Sequence, residues 1–94
     1  SYLNHQLNAI PGVLDGCFFM PENENPDGVM RMAAVVVAPD LDRTALLRAL
    51  RERVDALFLP RPLLFADVLP RNATGKLPRA ALDALYRRLC RESA

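Results

Sequence analysis

Apolar positions recur with different periods along the chain, and each change of period marks an element. Leu3, Leu7 and Ile10 stand at helical spacing and are stopped by Pro11-Gly12, which predicts a short amphipathic helix over 2–10. Residues 13–20, VLDGCFFM, are rich in β-formers and broken by Gly16, the mark of a bulge or a close backbone approach within a strand. The polar stretch from Pro21 to Gly28 ends in Asp-Gly and predicts a hairpin loop. Residues 29–38 form a second strand, whose unbroken apolar end from Met32 puts it in the middle of the sheet. After Pro39-Asp40, with Asp42 or Thr44 as N-cap, Leu46, Leu50, Val54 and Leu57 make the stripe of a second helix, widened by Leu47 and Phe58. Arg48, Arg51, Glu52, Arg53 and Asp55 fall mostly on its solvated side.

Pro60 and Pro62 force extended backbone into a third strand over 63–69. A polar loop over 70–77 follows. Pro78 suits the first turn of a last helix, with Leu82, Leu85, Tyr86 and Leu89 as its stripe and Arg87, Arg88 and Arg91 complementing the dipole at its C-terminal end. The order of elements predicts an α+β fold: a small mixed sheet of three strands, or slightly more, packed with about three helices against one main face.

Ninety-four residues suffice for one small domain, residues 1–94, and a composition 51% hydrophobic and 24% charged is that of a globular chain. A net charge of +1 gives no reason to expect nucleic acid or an anionic membrane as partner. The apolar run from Met32 to Pro39 is far short of the ~20 residues that span a membrane, and Ser1 opens on polar sequence with no leader pattern, so a soluble, cytoplasmic chain is expected. Cys17 and Cys90 lie far apart in apolar segments and read as buried free thiols. With His5 the one histidine, no metal site is expected. The basic residues are eleven arginines and a single lysine, Lys76.

That lysine follows a glycine in a loop between a strand and a helix, which invites comparison with the phosphate-binding G-x-x-x-x-G-K-[ST] loop. Pro70 stands where the leading glycine should be and Leu77 replaces the hydroxyl residue, so no amide nest for phosphates is formed. What remains is a cation on a glycine-flexed turn, suited to delivering a point charge into a neighbouring cleft.

Residues 65–79, FADVLPRNATGKLPR, resemble the C-terminal signature of the adenylate-forming superfamily: acyl-CoA synthetases, adenylation domains of nonribosomal peptide synthetases, and luciferases. Pro70, Thr74, Gly75, Lys76, Leu77 and Arg79 carry the match. Residues 10–16, IPGVLDG, are similar to the turn after that family's first C-terminal helix; residues 31–37, RMAAVVV, to its small-residue pair and valine run; and residues 58–61, FLPR, to its turn before the strand leading to the lysine. The family's large N-terminal domain and the hinge before the small one have no counterpart here. The chain is therefore expected to be an excised C-terminal lid domain, or a separate small subunit, of an AMP-forming ligase.

The resemblance implies an acyl- or aryl-CoA ligase in which Lys76 is the catalytic cation for adenylation of a carboxylic acid by ATP, with Pro70, Thr74 and Gly75 positioning its loop. ATP with magnesium, and coenzyme A or a phosphopantetheinyl carrier, would be bound mainly by the N-terminal adenylation domain. The isolated chain is expected to be inactive. Arg61, Arg71 and Arg79 are candidates for gripping coenzyme A or a carrier protein, since arginine forks hold phosphate bidentately. The alternatives are a ligase that loads acyl carrier protein, in fatty acid metabolism, and a non-catalytic interaction module that keeps the fold.

Overall fold

The structure, a computed structural model, describes residues 2–21 and 32–92. A three-stranded sheet of β1 (Asp15–Phe19), β2 (Ala33–Val37) and β3 (Leu63–Phe65) runs in that spatial order. β1 pairs antiparallel with β2, Asp15 opposite Val37, and β3 pairs parallel with β2, Ala34 opposite Leu63. The helices are α1 (Tyr2–Asn8), α2 (Arg43–Arg51) and α3 (Arg79–Glu92). The predicted α+β class and mixed three-stranded sheet are those observed.

β2 is central, and all five of its residues are buried, as its apolar run requires. Its alternate side chains serve two cores. Ala34 and Val36 join Leu7 and Ile10 from the first helix and Leu46, Leu50 and Val54 from the second. Ala33, Val35 and Val37 join Leu82, Leu85, Tyr86 and Leu89 on the other face. The helices thus cover both faces of the sheet, which corrects the expectation of one main face. The physical reason is the strand period: side chains of β2 point alternately up and down, and five consecutive apolar residues need cover on both sides.

α1 lies against the free edge of β1. Asn4 Oδ1 accepts from Phe18 N–H at 2.8 Å and Asn8 Nδ2 donates to the Gly16 carbonyl at 3.0 Å, so side chains occupy the edge groups that no strand pairs. Gly16 is the close approach its position in a strand predicted, since a Cβ there would stand 2.8 Å from Leu7 Cδ2.

α2 is shorter than its stripe predicts. Asp42 is the N-cap, accepting from Ala45 N–H at 2.7 Å, but the helix ends at Arg51. Asp55 caps a separate 3-10 turn, Ala56–Phe58, by accepting from Leu57 N–H, and this turn leaves Leu57 88% and Phe58 49% exposed. Assignment of Leu57 and Phe58 to the buried stripe is therefore corrected. β3 ends at Phe65, four residues before its predicted end, because the chain leaves the sheet after Ala66 N–H donates to the Val36 carbonyl. The hairpin loop after Pro21, and the predicted start of β2 at 29–31, lie outside the described residues. No helix among the described residues is long and apolar enough to cross a membrane.

Candidate functional site

The segment from Pro70 to Pro78 leads from β3 to α3, and Arg71 within it reaches Asp15, the first residue of β1. Residues 71–76 are all exposed, so backbone bonds and polar side chains, rather than packing, shape this loop. Gly75 N–H donates to the Asn72 carbonyl at 2.9 Å and Asn72 N–H donates to the Lys76 carbonyl at 2.8 Å, closing the loop on itself. That closure places Gly75 at φ +83°, the left-handed region where a Cβ is penalised, which is the reason for glycine immediately before the lysine.

Asn72 organises the interior of the loop. Its Oδ1 accepts from Thr74 N–H at 3.1 Å, from the Thr74 hydroxyl at 2.7 Å and from Lys76 N–H at 3.0 Å. Thr74 N–H, the Thr74 hydroxyl and Gly75 N–H are thus all engaged by Asn72. The Lys76 side chain stands exposed and makes no hydrogen bond or ion pair among the described residues. An unpaired cation on a tied loop is available to an external anion.

Arg71 does not share that freedom. Its Nε and Nη2 donate to the two carboxylate oxygens of Asp15, at 2.8 and 2.9 Å, while Nη1 donates to the Gly75 carbonyl at 2.9 Å. The fork holds the Asp15 carboxyl below its ordinary range, against the opposing effect of partial burial. Arg79 is likewise engaged. Its Nε donates to Asp83, its Nη2 to the Met20 carbonyl, and its guanidinium lies 5.6 Å from the centre of the Phe19 ring, which meets Tyr86 edge to face at 5.2 Å. Burial and a hydrogen bond with Cys90 push the Tyr86 phenol up to about 12. Arg61 sits apart, beside a groove of about 290 Å³ formed with Leu47, Arg51, Leu57, Leu59 and Pro60.

The structure therefore brings together Pro70, Arg71, Thr74, Gly75 and Lys76 in one loop, with Arg79 just beyond it and Arg61 elsewhere. Sequence reasoning missed Asn72 and Asp15. Asparagine's habit of bonding backbone two residues on was a usable signal for the first. Nothing local marks Asp15, which is 56 positions from Arg71. Burial raises the Cys17 thiol, against the opposing charge of Arg71. Among the described residues, no three His, Cys, Asp or Glu side chains gather as metal ligands.

Models of known protein families and curated protein sequences give no match to this chain. Solved structures do. A fatty acyl CoA synthetase from Mycobacterium tuberculosis matches over 93% of this chain, with a TM-score of 0.79 and 24% identity. MatB from Rhodopseudomonas palustris matches over 92% with a TM-score of 0.74 and 26% identity. The o-succinylbenzoate CoA synthetase MenE of Bacillus subtilis matches over 85% with a TM-score of 0.71 and 25% identity. The chain spans only 16–17% of the length of these proteins. All three are adenylate-forming enzymes, and the part that this chain matches is their C-terminal domain.

Proposed function

We propose that this chain is the mobile C-terminal domain of an AMP-forming acid–thiol ligase and that Lys76 is its catalytic cation. The observation that carries the reading is the Lys76 loop: an exposed lysine whose side chain has no partner among the described residues, held by backbone and side-chain bonds on a domain with the fold of the adenylate-forming enzymes' C-terminal part. In the first half-reaction a carboxylate oxygen attacks the α-phosphorus of ATP, an acyl-adenylate forms and pyrophosphate departs. Negative charge builds on the phosphoryl and leaving oxygens. A cation already placed there stabilises the transition state over the ground state, an effect typically worth ~3–4 kcal/mol for one donor in a dry site.

Domain rotation would then withdraw Lys76 and bring a second face of this domain to the acyl-adenylate, where a thiol displaces AMP. The thiol belongs to coenzyme A or to a phosphopantetheinyl carrier. Arg61, beside its groove and outside the internal ties that occupy Arg71 and Arg79, is the arginine proposed to meet that acceptor. Pro70, Thr74 and Gly75 set the loop. ATP, its magnesium and the acid would be held chiefly by an N-terminal adenylation domain, so the 94-residue chain alone should have no activity.

The test is isotope exchange between ATP and pyrophosphate across a panel of carboxylic acids, run on the chain alone and on an enzyme that carries it with its large domain. Exchange by the second and not the first is expected. Exchange by the chain alone would overturn the division of labour, and a carrying enzyme inert with every acid would favour a non-catalytic interaction module.

A further inference from the structure

We infer that Asp15 and Arg71 form a positioning clasp that sets the Lys76 peptide against the sheet, an inference that rests on the role proposed for Lys76. The Gly75 carbonyl and the Lys76 N–H belong to one peptide unit. Arg71 Nη1 donates to its oxygen and Asn72 Oδ1 accepts from its N–H, so the peptide entering Lys76 is gripped from both sides. The other two arms of the same guanidinium close on Asp15, which is the first residue of β1 and pairs with Val37 in the central strand. Asp15 Oδ1 also accepts from Gly16 N–H at 2.9 Å, which orients the carboxylate. Through one fork, the loop is therefore referenced to the sheet.

Leu69 and Leu77 anchor the two ends of the loop in the core. Between them residues 71–76 are exposed and belong to neither core, so among the described residues the place of the Lys76 backbone depends on these polar ties as well as on the flanking anchors. The fork matters as well as the charge. A guanidinium presents planar donors that reach two carboxylate oxygens and a carbonyl together, whereas an ammonium at this site would serve Asp15 as a point charge and release Gly75. Neither Asp15 nor Arg71 is assigned to the reacting atoms; both act through Lys76.

Two measurements test the clasp. In the 94-residue chain, amide exchange at Lys76 should quicken about 3- to 10-fold in Asp15→Asn and Arg71→Gln, with β2 and α3 amides unchanged. In the carrying enzyme, the same variants should lower kcat for acyl-adenylate formation about 10-fold while KM for ATP and acid stays within about twofold. Arg71→Lys should be as impaired as Arg71→Gln. Full activity in Arg71→Lys would make the arginine a plain charge facing a ligand and overturn the clasp, as would unchanged Lys76 exchange in Asp15→Asn. Lys76→Ala, assayed alongside, separates the two levels: adenylation that survives it overturns the catalytic lysine, whereas adenylation lost there but untouched in Asp15→Asn overturns the clasp alone.

Discussion

Asn72 holds Lys76 at both of its backbone polar groups, donating its own N–H to the Lys76 carbonyl at 2.8 Å and accepting the Lys76 N–H on Oδ1 at 3.0 Å. The lysine's backbone is thus specified by one neighbour four residues earlier, while its side chain is left unengaged. Replacing Asn72 with alanine removes the acceptor for three donors at once. Asn72→Ala should slow adenylate formation about 10-fold, through misplacement of Lys76. Asn72→Asp keeps the acceptor oxygen and should retain most of the rate; single-turnover adenylation of the two variants checks this.

Gly16 stands where α1 packs on β1, next to Asp15. A Cβ at Gly16 would stand 2.8 Å from Leu7 Cδ2 and 3.0 Å from Leu7 Cγ, inside a core where Leu7 is fully buried. Overpacking of this kind costs typically 1–3 kcal/mol, so Gly16→Ala should lower the unfolding free energy of the chain by about that much, read from its denaturation curve. Leu7→Ala should relieve the clash in the double variant, giving a loss smaller than the sum of the two singles.

The Asp15–Arg71 pair gives a pH dependence of defined sign. Because the folded carboxyl lies below its ordinary value of 3.8, the pair stabilises the fold above that value, and the contribution is lost as pH falls through the still lower folded pKa. With side chains 38% and 27% exposed, solvent screening holds the contribution to about 0.5–1 kcal/mol. Lys76 amide exchange, corrected for its intrinsic pH dependence, should therefore be flat from pH 5 to 8 and rise only below the ordinary carboxylate range. Asp15→Asn should abolish that rise.

Much of this was legible in one sequence, and the failures share a cause. The stripe of α3 needed only its own 3.6-residue period, and Leu82, Leu85, Tyr86 and Leu89 are buried as it required. The same period overran the end of α2, because Leu57 and Phe58 continue the spacing by chance while Asp55 starts a new turn. Spacing cannot see a competing cap. The Lys76 loop was legible from Gly75 and its neighbours, since left-handed backbone demands glycine locally. The fork from Arg71 to Asp15 was not, because two oppositely charged residues 56 positions apart carry no mark of meeting until the fold puts them together.

The central claim is that the charge of Lys76 serves adenylation and not thioester formation. The direct measurement is to assay both half-reactions of the carrying enzyme in Lys76→Ala. Adenylate formation should fall roughly 10²–10³-fold, the loss expected for one transition-state donor, while thioester formation from supplied acyl-adenylate stays near the unmodified rate. Equal losses in the two half-reactions would contradict the account, because a cation withdrawn by domain rotation before the second step cannot slow both alike.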